Sequence, residues 1–294
     1  MSQQKWITTS AGVKMPGILY GTAWKKERTA DLVFQAIQAG FRGIDTACQP
    51  KHYSEPLVGE GIHRALDEGI RREDLYLQTK FTPLSSQDPE QVPYDKGAPV
   101  EVQVAQSFET SKKNLHTDYV DCLILHSPLE SHELTMRAWH EMEVILRAGG
   151  ARQLGVSNFY DHDVLKALYA DAHVRPVIVQ NRFYKKTKYE MELRQWCKDQ
   201  GVIFESFWSL TANPQILASD MVKALAEKHQ KTESQIFFRY LSLSGIVPLT
   251  GTSSEDHMKE DLSIFEFELA SHEMDGLDGL LIEEAAKPEP ENKT

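Results

Sequence analysis

Cysteine is scarce in this sequence, and its placement excludes two kinds of stabilised fold. The 294 residues contain three cysteines, Cys48, Cys122 and Cys197, which lie far apart. An odd number of distant cysteines does not build a disulfide framework. The sequence also has no Cys-x-x-Cys pair and no Cys/His spacing of the kind that holds zinc. We therefore expect free thiols, a reducing intracellular setting and no metal site.

Long apolar runs are absent as well. The sequence has no run of about 18 apolar residues, which is the length that a membrane-spanning helix needs. The first residues, MSQQKWITTS, also lack the apolar core of a signal peptide. These two absences predict a cytoplasmic protein with no membrane partner.

Basic side chains are outnumbered by acidic ones. The sequence has 32 Lys and Arg against 43 Asp and Glu, which gives a formal net charge of −11. Nucleic acids and anionic membranes are bound through basic surfaces, so we expect neither of them as a partner. The C-terminal residues 283–294 (EEAAKPEPENKT) are charged and lack large apolar side chains. We predict that they form a mobile acidic tail.

What the sequence does contain is an alternation of short apolar runs and longer amphipathic segments. Eight runs rich in Val, Ile, Leu and Phe are predicted to be buried parallel strands: 17–20, 42–45, 75–80, 119–126, 153–157, 177–181, 203–208 and 245–249. Eight segments have helical apolar spacing: 29–39, 56–67, 102–115, 134–147, 160–169, 191–200, 221–229 and 234–243. Strands that alternate with helices form βα units around a parallel sheet. Eight such units predict a single α/β domain, a (β/α)8 TIM barrel, over residues 1–282.

Two further segments extend this plan. Residues 6–13 (WITTSAGV) alternate in polarity and contain an Ala-Gly turn, which predicts a small β-hairpin that closes the barrel floor. Residues 83–99 follow the third predicted strand and are rich in Pro, Gln, Asp and Ser. A loop of this length in a compact domain is often functional, so we expect it beside a substrate site.

Polar residues stand at the ends of successive predicted strands. In a TIM barrel the active site lies at the C-terminal ends of the strands. The second to sixth runs end in Asp45, Lys80, His126, Ser157-Asn158 and Gln180-Asn181. Each of these alone has an ordinary structural explanation, such as a helix N-cap for Ser-Asn. Five in succession on the reactive face of the barrel predict a catalytic site.

Several motifs carry a resemblance to a known family. They are GTAW at 21–24, GIDTA at 43–47 with Tyr53 after it, LYLQTKF at 75–81, DYVDCLILHSP at 118–128, GVSNF at 155–159, VIVQNRF at 177–183 and FEFEL at 265–269. In this order and at this spacing, over about residues 6–280, the sequence resembles the aldo-keto reductase family. The resemblance implies a barrel that reduces aldehydes and ketones with NADPH, or in some members NADH, and without a metal. No Gly-x-Gly-x-x-Gly motif follows a strand, in agreement with a barrel rather than a Rossmann domain.

The same resemblance implies a catalytic tetrad of Asp45, Tyr53, Lys80 and His126. A free tyrosine, with a pKa of about 10, is a reluctant acid. A nearby lysine ammonium stabilises the phenolate and lowers that pKa, and Asp45 would hold the ammonium charged and oriented. His126 would position the carbonyl oxygen as it becomes negative.

Cofactor and substrate contacts are implied in the same way. Ser157, Asn158 and Gln180 would bind the nicotinamide carboxamide, and Trp208 would stack on the nicotinamide ring. The other residues expected at the cofactor are Gly21, Thr22, Ala23, Ser209, Leu210, Thr250, Thr252, Ser253, Ser254, His257, Glu260 and Asp261. The residues expected to wall the substrate pocket are Trp24, Ser127 and, in the long loop, Tyr94.

The sequence departs from the family pattern near the tyrosine. Tyr53 comes eight residues after Asp45, where many members have a shorter gap, and a count back from Gly59 puts His52 in register. We assign the proton donor to Tyr53 because only a phenol suits that role. His52 or Lys51 would then face the pocket.

Two more departures concern the ligands. Leu249 and His257 stand where the family has a lysine and an arginine that grip the 2′-phosphate of NADPH. Hydroxyls at 252–254 would still bind a phosphate, so NADPH is the expected cofactor and NADH the open alternative. Ser127 stands where a tryptophan is frequent, which predicts a wider pocket and a bulkier carbonyl substrate.

A cofactor-binding regulatory or scaffold barrel with little turnover is the main alternative to the reductase, and the intact tetrad disfavours it. A metal-assisted hydrolase would need clustered His, Asp or Glu ligands at the strand ends, where only single ones occur. The sequence is compatible with either a monomer or a homodimer.

Overall fold

A two-strand hairpin stands near the beginning of residues 5–288, which the computed structural model describes. Its strands, β1 (Trp6–Thr8) and β2 (Lys14–Pro16), pair antiparallel. The Thr9 hydroxyl donates to Gln153 Oε1 at 2.6 Å, and Gln153 lies just before a barrel strand. The hairpin therefore covers the N-terminal end of the barrel, as predicted.

Eight parallel strands form a closed barrel. They are β3 (Leu19–Gly21), β4 (Gly43–Asp45), β5 (Tyr76–Phe81), β6 (Cys122–Leu125), β7 (Leu154–Ser157), β8 (Ile178–Arg182), β9 (Ile203–Phe207) and β10 (Ile246–Thr250). Neighbours pair in chain order, and β10 pairs with β3 to close the sheet. The predicted TIM barrel is confirmed, and each predicted strand overlaps an observed one.

Helices follow the strands on the outside of the barrel. Within the described residues they are α1 (Thr29–Ala39), α2 (Glu55–Asp67), α3 (Val100–Leu115), α4 (His132–Arg147), α5 (His162–Asp171), α6 (Met191–Gln200), α7 (Pro214–Leu217), α8 (Asp220–His229), α9 (Glu233–Leu243), α10 (Glu255–Leu262) and α11 (Ser271–Ala286). The eight predicted helices correspond to α1–α6, α8 and α9. Three were missed, among them the one-turn α7 and the mostly charged α10.

The last helix corrects the predicted boundary of the tail. α11 runs to Ala286, so residues 283–286 form its final turn, and Glu284 is only 9% exposed. Residues 289–294 of the predicted tail lie outside the described part of the chain. No helix in residues 5–288 is long and apolar enough to cross a membrane.

The strand β5 shows how strand periodicity sorts side chains between two layers. All six of its residues are buried. Thr79 points outward and donates to Glu55 on α2 at 2.5 Å. Gln78 and Lys80, on the alternate face, point into the barrel and donate to Asp45. Burial on both faces explains why the strand shows no alternation of buried and exposed residues.

Apolar packing occurs in two places. The larger core lies between the sheet and the helices and includes Trp139, Phe183 and Phe237. A smaller cluster, the interior cluster, fills the barrel and consists of Met15, Leu19, Tyr76, Cys122, Ile124, Ile178, Val247 and Leu249. The buried polar side chains of the interior include Gln153 near the N-terminal end and, toward the C-terminal ends of the strands, Asp45, Gln78, Lys80, Gln180 and Glu205.

Gly59 on α2 provides a test of how closely the helices pack. A Cβ added there would lie 2.0 Å from the Asn114 carbonyl oxygen of α3, whereas one added to Gly279 of α11 would meet nothing within 4 Å. We expect Gly59→Ala to lower the free energy of unfolding by about 1–3 kcal/mol, because the helices must move apart. Gly279→Ala is the matched control and should leave it unchanged or raise it by up to about 1 kcal/mol. Urea unfolding followed by circular dichroism measures both, and equal effects would contradict the close approach.

Candidate active site

A cavity of about 1180 Å³ opens at the C-terminal ends of the barrel strands. Enzymes with this architecture react at that end. The predicted site residues that line the cavity are Gly21, Ala23, Trp24, Asp45, Tyr53, His126, Ser127, Ser157, Asn158, Gln180, Trp208, Ser209, Leu210, Thr250, Thr252, His257, Glu260 and Asp261. The structure therefore brings most of the predicted residues to one site.

A buried ion pair supports the floor of this cavity. Lys80 and Asp45 are 1% and 2% exposed. Lys80 Nζ donates to both carboxylate oxygens of Asp45 at 2.7 Å and to the Thr46 carbonyl oxygen at 2.8 Å. Burial lowers the pKa of Lys80, but the negative charge of Asp45 leads the effects that raise it, and the net pKa lies above its ordinary value. The ammonium therefore stays charged.

Tyr53 lies beside this pair. Lys80 Nζ is 5.3 Å from the centroid of the Tyr53 ring, and the His126 ring is 6.1 Å from it. Burial raises the pKa of Tyr53, the charge of Lys80 opposes that rise, and the charge of Asp45 adds to it. The lysine alone would lower the pKa of Tyr53, but burial is the larger effect. The phenol therefore keeps its proton at neutral pH.

A turn accounts for the long gap between Asp45 and Tyr53. The backbone N–H of Tyr53 donates to the Gln49 carbonyl oxygen at 3.0 Å, so the chain folds back after β4. The ring of His52 packs instead on Trp24, with 4.1 Å between the ring centroids. Tyr53 rather than His52 is thus the neighbour of the ion pair.

His126 is held by a residue that the sequence did not point to. Its Nδ1 lies 2.7 Å from the hydroxyl of Thr82, which is fully buried. Burial, and then the positive charge of Lys80, hold the pKa of His126 well below 6.5, so the imidazole is neutral. With Nδ1 engaged, Nε2 is the ring nitrogen that remains for a ligand in the cavity.

Comparison with known proteins identifies the family of the chain. A family model described as "Aldo/keto reductase family" matches residues 11–282. The chain belongs to the aldo/keto reductase family. It is 32% identical to the glyoxal reductase of Bacillus subtilis (strain 168) over 95% of this chain and 94% of that protein. It is also 32% identical to an uncharacterized oxidoreductase of the same bacterium, over 98% of this chain and 97% of that protein.

Solved structures share the fold of this reductase. An aldo/keto reductase from Brucella melitensis matches with a TM-score of 0.81 and 28% identity, covering 95% of this chain and 100% of that one. An aldo-keto reductase of the silkworm Bombyx mori in complex with NADP matches with a TM-score of 0.81 and 25% identity, covering 95% and 93%.

Three predicted cofactor residues of the reductase form one hydrogen-bonded group. Ser157 Oγ donates to the Gln180 carbonyl oxygen at 2.8 Å, and Asn158 Nδ2 donates to the His126 carbonyl oxygen at 2.8 Å. Asn158 has a φ of 59°, a left-handed conformation that costs energy outside glycine. Gln180 Nε2 donates to Asp45 Oδ1 at 3.0 Å, which leaves Oε1 of this amide for a ligand.

The aromatic surface of the reductase is larger than predicted. Trp208 lines the cavity but is 47% exposed, and the guanidinium of Arg182 lies 4.0 Å from its ring. Phe207 also lines the cavity and packs against the interior cluster. Strand alternation puts Phe207 on the same face as Glu205, toward the barrel axis. Phe207 is therefore a second candidate to stack on a flat ring, and the motif comparison missed it.

Besides Lys80, which lies beneath the floor, four predicted site residues do not line the cavity: Thr22, Tyr94, Ser253 and Ser254. Thr22 is buried, and its hydroxyl donates to the Asp45 carbonyl oxygen at 2.9 Å. The expectation that Tyr94 walls the substrate pocket is wrong, because its hydroxyl donates to the Thr82 carbonyl oxygen at 2.8 Å and fastens the base of the long loop. Ser85 and Ser86 are the residues of that loop that line the cavity.

The side of the cavity next to α10 offers hydroxyls and few cations. Thr250 Oγ1 donates to Asp261 Oδ2 at 2.7 Å, and burial raises the pKa of that carboxyl to about 7. Ser254 serves as the N-cap of α10, where its side chain accepts from the backbone of His257. Lys259 is engaged by Glu255 at 2.7 Å. Hydroxyls and carboxyls therefore outnumber cations on this side of the cavity.

One group of side chains in residues 5–288 has the composition of a metal site. It consists of His140 and Glu143 on α4 and His173 after α5. None of the three lines the cavity. This cluster is on the outer wall of the barrel and not at the strand ends where a metal-assisted hydrolase would need it.

The environment of His126 predicts its behaviour in solution. We expect its imidazole to stay neutral between pH 6 and about 8, because burial and Lys80 both disfavour the imidazolium. We also expect Nδ1 to accept from the Thr82 hydroxyl, which would leave the proton on Nε2. Long-range ¹H–¹⁵N NMR spectra over this range report the tautomer and the charge, and His126→Gln assigns the signal. A protonation midpoint at or above the ordinary value of about 6.5 would contradict the geometry.

Proposed function

We propose that this reductase converts an aldehyde or ketone to the alcohol with NADPH, and that Tyr53 is the proton donor. The observation that carries the proposal is the floor of the cavity, where a phenol that keeps its proton lies beside the buried ammonium of Lys80 and the neutral imidazole of His126. The silkworm relative, whose solved structure contains NADP, supports the choice of cofactor.

The lining of the cavity suits a dinucleotide cofactor. Its inner end offers the Gln180 amide, and one wall carries the aromatic rings of Phe207 and Trp208. Arg182 Nε is buried without a hydrogen-bond partner among the described residues, which leaves a donor beside that wall. An amide, a flat ring and phosphates are the groups that such a lining accommodates. When bound, the nicotinamide cofactor supplies the hydride that adds to the carbonyl carbon.

Proton transfer from Tyr53 completes the reduction. As the carbonyl carbon is reduced, its oxygen becomes negative, and the phenol gives that oxygen its proton. The tyrosinate that remains is stabilised by the Lys80 ammonium, which Asp45 keeps charged and fixed. The ion pair therefore lowers the cost of a transfer that burial of Tyr53 alone would oppose.

His126 orients the carbonyl group for this transfer. A neutral imidazole that accepts from the Thr82 hydroxyl at Nδ1 carries its proton on Nε2. Nε2–H then donates to the carbonyl oxygen and stabilises its growing charge. Asn158 Nδ2 holds the backbone of His126 in place at 2.8 Å.

The substrate side of the cavity is open. Trp24 is 58% exposed, and the small Ser127 leaves room beside His126. This supports carbonyl compounds bulkier than those a tryptophan at that position would admit. The glyoxal reductase relative supports carbonyl compounds as the substrate class. We also infer a cytoplasmic enzyme without a metal that acts as a monomer or a homodimer.

The proton donor is tested by comparing two neighbouring residues. We expect Tyr53→Phe to lower kcat for reduction of an aromatic aldehyde by about 10²–10⁴-fold, because it removes the acidic hydroxyl and keeps the ring. NADPH oxidation followed by absorbance measures turnover, and tryptophan fluorescence measures the Kd of NADPH, which should change little. His52 lines the same cavity, so His52→Gln is the matched control. We expect its kcat to stay within about tenfold of the wild-type value.

The opposite pattern, with turnover lost in His52→Gln and kept in Tyr53→Phe, would show that Tyr53 is not the proton donor. A wild-type protein that binds NADPH tightly but reduces none of a panel of aldehydes and ketones would favour the regulatory role.

Cofactor choice is tested at His257, an exposed residue on the rim of the cavity. We expect His257→Arg to tighten NADPH binding by about three- to tenfold and to leave NADH binding unchanged, because only NADPH carries a 2′-phosphate. Fluorescence titrations give both dissociation constants. His63→Arg, an exposed position on α2 outside the cavity, is the matched control. A gain shared by both cofactors would place residue 257 near the pyrophosphate instead.

A further inference from the structure

Glu205 belongs to a closed ring of hydrogen bonds around Asp45. This β9 residue is fully buried, and its Oε2 accepts from Gln78 Nε2 at 2.8 Å and from Gln180 Nε2 at 2.8 Å. The same two amide nitrogens donate to Asp45 Oδ1 at 2.8 and 3.0 Å. Each amide therefore bridges the two carboxylates with its two N–H groups.

The fold alone does not explain a second carboxylate in this place. Lys80 directs its bonds to Asp45 and Thr46, and Glu205 Oε1 is buried with no hydrogen-bond partner among the described residues. Burying a polar atom without a partner is costly, and an apolar side chain of similar size would avoid that cost. A carboxylate that bears this cost beside the ion pair is a candidate for a role in the chemistry.

One consequence of the ring is the orientation of Gln180. Because Nε2 is fixed between Asp45 and Glu205, Oε1 is the end of the amide that remains for the cavity. In this orientation Gln180 Oε1 can accept a hydrogen bond from the NH₂ of a carboxamide ligand. If the Gln180 amide were flipped, its own NH₂ would face the NH₂ of the ligand, and both groups are donors. Gln78 is fixed in the same sense, since its Oε1 accepts from the Tyr76 hydroxyl at 3.2 Å.

We propose that Glu205 is a positioning residue for the reduction, which fixes the amides around Asp45 and, by gaining or losing a proton, sets how readily Tyr53 gives up its own. This inference rests on the proposed function, because it takes Tyr53 as the proton donor. Glu205 itself does not line the cavity and acts through Asp45, Lys80 and Gln180.

The titratable groups around Glu205 determine the sign of the effect. They are Asp45 on β4, Tyr76 and Lys80 on β5 and Cys122 on β6. Burial and the charge of Asp45 raise the pKa of Glu205. The hydrogen bonds from the two amides and the charge of Lys80 lower it by less, so that the pKa is about 7. Above that pH its ionisation adds a negative charge beside the pair that stabilises the tyrosinate. Reduction should therefore slow as the pH rises through about 7.

The pH profile separates this role from a merely structural one. We expect kcat/KM of the wild type to fall by about three- to tenfold between pH 6 and about 8.5 from this ionisation. Glu205→Gln still accepts from both amides but does not ionise, so it should match the wild type at the acid end and remain flat. Glu190→Gln is the matched control. The Glu190 carboxyl is also buried, and its pKa is raised to about 7, but it lies outside the barrel interior. This variant should therefore keep the wild-type pH profile.

Glu205→Leu tests the orientation of the amides. It removes the acceptor, so the Kd of NADPH should rise by about three- to tenfold and kcat/KM should fall at every pH, while Glu205→Gln restores both. Circular dichroism checks that each variant is folded. A wild-type pH profile in Glu205→Gln, or an unchanged Kd in Glu205→Leu, overturns the inference.

A parallel Tyr53→Phe sample distinguishes a failure of the Glu205 role from a failure of Tyr53 as the proton donor. If Tyr53→Phe loses turnover while Glu205→Gln keeps the wild-type profile, only the role of Glu205 fails. If Tyr53→Phe keeps turnover, the proposed proton donor fails, and the inference about proton transfer fails with it. The Kd values of the two Glu205 variants still test the orientation of Gln180 if no substrate is turned over.

Discussion

The buried ion pair between Lys80 and Asp45 is the constraint on which the upper half of the barrel depends. Two opposite charges removed from water are stable only if their remaining hydrogen-bonding capacity is also satisfied. The Thr46 carbonyl takes the third ammonium hydrogen, and the amides of Gln78 and Gln180 donate to Asp45. The polar interior at this level follows from the pair, and it forms the part of the cavity floor beside which Tyr53 lies.

Hydrogen bonds extend this order to the opposite end of the barrel. Gln78 Oε1 accepts from Tyr76, whose hydroxyl accepts from Gln153 Nε2 at 2.9 Å, and Gln153 Oε1 accepts from Thr9 of the hairpin segment. Each amide in the series is fixed in one orientation, because a flip would set donor against donor in the next contact. The hairpin that covers the barrel floor is therefore connected to the reactive end by an unbroken series of polar contacts.

The sequence predicted the parts of the site that depend on local pattern. Strand periodicity and the geometry of TIM barrels placed Lys80 and His126 at the strand ends, and the same periodicity located the eight strands. Thr82, Glu205 and Phe207 were missed for different reasons. Glu205 lay inside a predicted strand, but its partners come from β4, β5 and β8, and only the register of the closed barrel brings them together. Thr82 and Phe207 lie on the inner face because side chains alternate along β5 and β9. They were missed because the sequence placed the C-terminal ends of these two strands one residue away from their ends in the structure.

The acidic character of the chain and the anionic cofactor proposed for it are compatible because electrostatic effects are local. Net charge describes the exterior, and exposed charges farther than about 10 Å are screened by salt. The cations of Lys25 and Arg182 line the cavity, and Lys25 already donates to the Gly251 carbonyl oxygen. Arg182 is stacked on Trp208 and keeps its Nε without a hydrogen-bond partner in the described structure. A net charge of −11 therefore argues against nucleic acid as a partner and does not weaken the case for a phosphorylated cofactor.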